Sequence, residues 1–123
     1  MNWWGPLAAS LALLIADPSY GQKAQILGAG TVSCGEWVTN RRQLAATRSA
    51  STALWGESQW ILGYVTAMNS AEGPQADFRA GLNESAMMVW VDDYCHAHAL
   101  DSLGTAASAL VLELSRRAAA KPN

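Results

Sequence analysis

Charged side chains are scarce in this chain of 123 residues: 8 Lys and Arg stand against 10 Asp and Glu, together 15% of the sequence, and the pI is near 5.5. Nucleic-acid binding through a basic stripe is therefore excluded, because it draws on clustered positive charge. No apolar run reaches the ~20 residues that cross a bilayer as a helix. The C-x-x-C spacing of redox sites is missing, since the two cysteines, Cys34 and Cys95, lie far apart. The run Gly28-Ala29-Gly30 lacks the third glycine and the preceding strand of a dinucleotide loop. A mass of 13.1 kDa leaves no room for a multidomain enzyme. What remains is half hydrophobic, at 50%, and includes 6 tryptophans, enough to bury a core rather than stay disordered.

The beginning of the chain reads as an export signal. Residues 7–16 (LAASLALLIA) form an apolar stretch, and Ser19, Tyr20 and Gly21 then offer small residues at the two positions that a signal peptidase reads for cleavage before Gln22. Met1, Asn2 and the residues up to Pro6 hold no Lys or Arg, a departure from the usual positive start, and a buried amino-terminal helix is the other reading of this stretch. Cleavage assigns residues 1–21 to a signal peptide and residues 22–123 to one periplasmic domain with no membrane attachment. In that oxidising compartment the even pair of cysteines is expected to form a single Cys34–Cys95 bridge, structural in purpose.

From Ser33 the pattern turns helical: Ser33 caps, Glu36 follows three residues on as in a capping box, and Cys34, Trp37, Val38 and Arg41 share one face. Residues 44–56 have no clear period and admit a short helix or a loop equally. Over residues 58–69, Trp60, Gly63, Tyr64, Ala67 and Met68 recur at helical spacing and predict an inward face. Gly63 inside that face predicts close approach of another backbone or of a Trp ring. Residues 70–82, with Gly73-Pro74 and Gly81, read as the one long loop. Asn83 caps a further helix whose buried stripe is Met87, Trp90, Val91, Tyr94, Cys95 and His98. Asp101 caps the last, with Leu103, Ala107, Leu110, Val111 and Leu114 inward and Arg116, Arg117 and Lys121 near its carboxyl end. No strand emerges, and the predicted fold is an all-α, four- or five-helix, single-disulfide bundle.

The segments C-G-E-W (residues 34–37), Q-W-I-L-G-Y-V-T-A-M-N (residues 59–69) and W-V-D-D-Y-C-H-A-H (residues 90–98), ahead of a terminal amphipathic helix, together resemble the HdeA/HdeB family of periplasmic acid-stress proteins. The resemblance spans residues 33–114 and implies an HdeA-like fold, in which a cysteine near the start of the first helix is bridged to one late in the third. The helix containing Gly63-Tyr64 is also similar to that of the Tai-type immunity proteins, which protect bacteria against amidase toxins of the type VI secretion system. The HdeA-like chaperones are richer in charge and carry lysines at their ends, whereas this chain has only Lys23 and Lys121. The activity implied by the HdeA-like resemblance is stress protection, by binding other proteins through apolar surface exposed when a homodimer dissociates or partly unfolds. The immunity kinship implies instead that the folded protein captures one secreted toxin, through a protrusion from residues 70–82.

Neither reading calls for an enzyme. With both cysteines bridged, only His96 and His98 offer an imidazole base, and at i, i+2 they point about 200° apart on a helix, so no shared metal and no cofactor is expected. One of the two is read as capping the carboxyl end of its helix. Asp92 and Asp93 diverge and are read as solvated, as are Arg41, Arg42 and Arg48. Among the aromatics, Trp37, Trp60 and Trp90 are expected to fill the core more than an interface, and Trp55 is the best exposed anchor. The candidate protein-binding set is Trp55, Trp60 and Tyr64. In acid the carboxylates neutralise while 8 basic side chains keep their charge, and the resulting self-repulsion is expected to loosen the fold.

Overall fold

The computed structural model describes residues 25–73, 77–78 and 82–120. The expected signal segment, Lys23 and Lys121 lie outside them. A 3-10 turn at Gly28–Thr31 precedes four α-helices: α1 (Cys34–Thr47), α2 (Thr52–Glu72), α3 (Glu84–Ala97) and α4 (Leu103–Ala120). Among the described residues there is no strand, only an isolated antiparallel bridge between Ser33 and Ser102. None of these helices is long and apolar enough to cross a membrane. The fold is a small all-α bundle.

Each helix begins where a short polar side chain takes up a free backbone N–H. Ser33 Oγ accepts from Glu36 N and Ser51 Oγ from Leu54 N, both at 3.1 Å, and Asn83 Oδ1 accepts from Ala86 N at 2.8 Å. The cap of α4 is Ser102, whose Oγ accepts from Thr105 N at 3.1 Å, rather than Asp101. Asp101 turns back instead: its carboxylate accepts from Tyr94 Oη at 2.7 Å and its carbonyl from Cys34 N at 2.8 Å. Helix α1 closes at Arg48, a left-handed residue with φ of 55°, and α2 starts four residues later. The unpatterned residues 44–56 are thus a helix end, a tight turn and a helix start, which no single period describes.

The Cys34–Cys95 disulfide joins the first turn of α1 to the last turn of α3, with the Cα atoms 4.7 Å apart. Backbone hydrogen bonds reinforce it on both sides: Gly35 N donates to Ala99 O at 3.0 Å and Leu103 N to Val32 O at 2.7 Å. The start of α1 is therefore tied to the α3–α4 turn by covalent and main-chain links together.

The core draws Trp37 and Val38 from α1, Leu54, Ile61 and Val65 from α2, Met87, Met88 and Val91 from α3, and Leu103, Leu110, Val111 and Leu114 from α4. Phe78, between α2 and α3, is buried as well, and its N–H donates to Asn69 Oδ1 at 3.0 Å. The expected long loop is shortened, because α2 runs on through Ser70 and Ala71 to Glu72, and its phenylalanine points inward rather than out.

Two expectations about helix faces need correction. On α2 the buried positions are Leu54, Glu57, Ile61 and Val65, one residue out of phase with the expected Trp60, Tyr64 and Met68, which flank the core half-buried. Apolar residues occupy nearly every side of α2, so the period was clear and the phase was not. On α3, Met87, Val91 and Cys95 are buried as expected, Met88 joins them, and His98 is exposed.

Gly63 is exposed and has nothing within 4 Å of where a Cβ would stand, so no close approach occurs there. The close approach lies at Gly30, where a Cβ would collide with Trp60 Cζ2 and Ile26 Cγ2. Gly30→Ala is accordingly expected to destabilise the fold by about 1–3 kcal/mol through overpacking against a rigid indole. Gly63→Ala, in open space inside a helix, is expected to gain about 1 kcal/mol. Urea unfolding of both variants checks the pair, and equal midpoints would contradict the placement of Trp60 over the 3-10 turn.

Candidate functional site

Trp55 stands on the first turn of α2. Because Leu54 and Glu57 turn inward there, the indole between them is left 64% exposed. It is the one exposed aromatic among the described residues. The exposed aliphatics Leu27, Val89, Leu100 and Leu112 are spread over other parts of the chain, and single residues of that kind are ordinary surface.

Trp60 and Tyr64 do not join Trp55. Five residues along a helix rotate Trp60 about 140° away from it. The Trp60 ring covers Gly28 and Gly30 and stacks on Tyr64 with centroids 5.5 Å apart, and the Tyr64 hydroxyl lies 3.0 Å from Ser108 Oγ on α4. The three candidates thus divide: two brace the 3-10 turn and α4, and one is presented to solvent.

Asp92 is engaged rather than solvated. Its Oδ1 accepts from Trp37 Nε1 at 2.8 Å and from Arg41 Nε at 2.9 Å, while Oδ2 accepts from Arg41 Nη2 at 2.7 Å. The guanidinium carbon also sits 5.6 Å from the Trp37 ring centroid, a cation–π arrangement. Arg41 and Asp92 are both about three-quarters covered (27% and 22% exposed), which makes this fork-shaped pair worth more than a surface ion pair. Beside it a shallow groove of about 320 Å³ runs between α1 and α3, floored by Val38 and Leu44 and edged by Arg42 and His96. A second, of about 580 Å³, lies between α2 and the start of α3, over Leu62, Val65 and Met87.

The histidines stay apart. His98 stacks on Tyr94 at 4.2 Å, and its Nδ1 lies 2.9 Å from the Tyr94 carbonyl oxygen, where an imidazole N–H satisfies one of the last carbonyls of α3. Among the described residues no three His, Cys, Asp or Glu side chains group as a metal site would require.

Two carboxyls have displaced acidities. Glu113 accepts from Arg116 and Arg117 at 2.9 and 2.6 Å, and those hydrogen bonds hold it down at about 2. Its contribution to stability is therefore present above the ordinary 4.5 and fades as the pH falls toward 2. Glu57 moves the other way. Burial pushes it above 4.5; the hydrogen bond from Asn40 opposes the rise, and the Glu36 charge adds to it.

The Arg41–Asp92–Trp37 cluster and the buried Glu57 are absent from the sequence reading. The first joins residues 51 and 55 positions apart and leaves no local pattern. The second did leave one: Glu57 falls three residues after Leu54 and four before Ile61, in phase with the buried face.

No family model, no curated protein and no solved structure matches the chain.

Proposed function

We propose that the chain is a non-enzymatic, HdeA-like protein of the bacterial periplasm that protects other proteins under stress by binding them, with Trp55 as its anchor. The observation that carries this reading is the 64% exposure of Trp55, where the other tryptophan, tyrosine and phenylalanine rings among the described residues are buried or half-buried. Large, rigid aromatic side chains are the residues most enriched where proteins grip one another. The disulfide fits an oxidising compartment and keeps its constraint at any pH. Binding through a side chain already at the surface needs no unfolding of the bundle, and the loosening expected from acid self-repulsion becomes an addition rather than a requirement.

The test is suppression of client aggregation. A protein that precipitates when acidified to about pH 3 is mixed with wild type or with Trp55→Ala, and light scattering is followed. Wild type is expected to suppress scattering at equimolar amounts. Trp55→Ala is expected to lose most of that effect while its unfolding free energy stays within about 0.5 kcal/mol of wild type, as for a surface substitution. No suppression by wild type would end the chaperone reading.

A second reading, capture of one secreted toxin by the folded protein, is favoured by the same preformed exposure of Trp55. Its expected protrusion finds no support at Phe78, which is buried. Failure of the client assay together with a stoichiometric complex at neutral pH, lost in Trp55→Ala, would favour this alternative.

A further inference from the structure

Among the described residues Glu57 is the one buried side chain that is polar or charged, at 2% exposure, and its Oε2 is the one buried side-chain atom without a hydrogen-bond partner. Its Oε1 accepts from Asn40 Nδ2 at 2.9 Å, so among the described residues its one side-chain donor is a neutral amide on α1. The ionisable group that acts on it is Glu36, also on α1 and of the same sign. On α2 the neighbouring turns hold Leu54, Ser58 and Ile61, none of which ionises. Among the described residues no cation of α1, α3 or α4 figures among the groups that act on it: Arg41 is paired with Asp92, Arg116 and Arg117 are paired with Glu113, and none of Arg42, Arg48 and His96 contributes. Ionisation in such a place strands a charge away from water with no counter-charge from the described residues, whereas the neutral acid tolerates burial.

We propose that Glu57 is an acid-closed latch between α1 and α2, seated when neutral and turned out when ionised, so that its ionisation loosens the first turns of α2 that carry Trp55. The sign follows from the direction of the acidity. Because burial raises the folded carboxyl above its ordinary 4.5, the folded chain holds this proton more tightly than the unfolded one does. The latch contributes its full stability below 4.5 and loses it as the pH climbs through the higher folded value. That is opposite to Glu113, whose ion pairs strengthen over the rise in pH. This inference goes beyond the protein-binding proposal, and its test reads titration and local opening rather than clients, so either can fail without the other.

The experiment follows the Glu57 carboxyl of the full chain by carbon-13 NMR from about pH 3 to pH 9, beside amide hydrogen exchange over residues 48–60 corrected for the intrinsic pH dependence of exchange. Glu57 is expected to titrate above every other glutamate, with protection at residues 54–58 falling about tenfold or more around the same midpoint. In Glu57→Gln, which keeps the shape and cannot ionise, protection there is expected to stay level. A Glu57 titration within the ordinary glutamate range, or an equal fall of protection in Glu57→Gln, overturns the latch. Should Glu57→Gln not fold, wild type decides alone: a loss of protection whose midpoint differs from the Glu57 titration overturns it too.

Discussion

Exchanging both Cys34 and Cys95 for serine is expected to remove about 4 kcal/mol of stability, the chain-entropy value for a loop closed over a separation of 61 residues. A domain of this size is stable by only ~5–15 kcal/mol in all, so the double-serine variant should sit at or near the edge of folding. The loss also reaches the main chain. The hydrogen bonds Cys34 N to Asp101 O, Gly35 N to Ala99 O and Leu103 N to Val32 O all surround the staple, and they must hold their registry alone once it is gone. Urea unfolding monitored by far-UV circular dichroism measures the effect, and reduction of wild type by a dithiol should give the same fall in midpoint as the double substitution. Equal midpoints in oxidised and reduced protein would show that the noncovalent contacts at this end of the bundle suffice.

Truncating Trp37 is expected to be nearly as damaging. Its side chain is fully buried, and Trp37→Ala leaves a cavity that relaxation of the surroundings fills only in part, at a cost of about 3–5 kcal/mol. Part of that cost is polar, since the indole N–H donates to Asp92, and without the ring Arg41 also loses the surface it lies against. Trp37→Phe separates the two parts: it keeps most of the apolar volume and surrenders the donor, for which about 1–3 kcal/mol is expected. Combining Trp37→Phe with Asp92→Ala, each of which removes the hydrogen bond between them, should cost less than the sum of the two singles. Strict additivity in that double-mutant cycle would mean that the hydrogen bond contributes nothing.

The presence of helices was legible in the sequence, and the starts of α1 and α3 were legible where Ser33 and Asn83 marked them, whereas Ser51, which caps α2, carried no readable pattern with it. Ser33 and Asn83 do what their spacing predicts, and so do the apolar positions of α4, where Leu103, Ala107, Leu110, Val111 and Leu114 are all buried. The disulfide followed from an even pair of cysteines in a chain read as exported. Phase was harder to read than period. In α2 the aromatics Trp60 and Tyr64 outweigh Ile61 and Val65 by size, but tertiary packing gives the deepest positions to the smaller, β-branched side chains and leaves the rings to cover the 3-10 turn. Asp101 shows the same competition at a helix start: it and Ser102 both suit a cap, and the nearby Tyr94 hydroxyl claims the carboxylate. Of the candidate site, Trp55 was legible because nothing around it was patterned, whereas the pairing of Arg41 with Asp92 belongs to the meeting of α1 with α3 and to no single segment.

The covalent ring closed by Cys34 and Cys95 encloses α1, α2 and α3 and leaves α4 outside as a tail. Oxidation therefore shortens the search for the first three helices alone. The docking of α4 depends on noncovalent contacts, among them what Leu103, Leu110 and Leu114 bury, the Tyr64–Ser108 contact and the main-chain seam at Val32, and in an oxidised but unfolded chain that last helix keeps the full freedom of an untethered end.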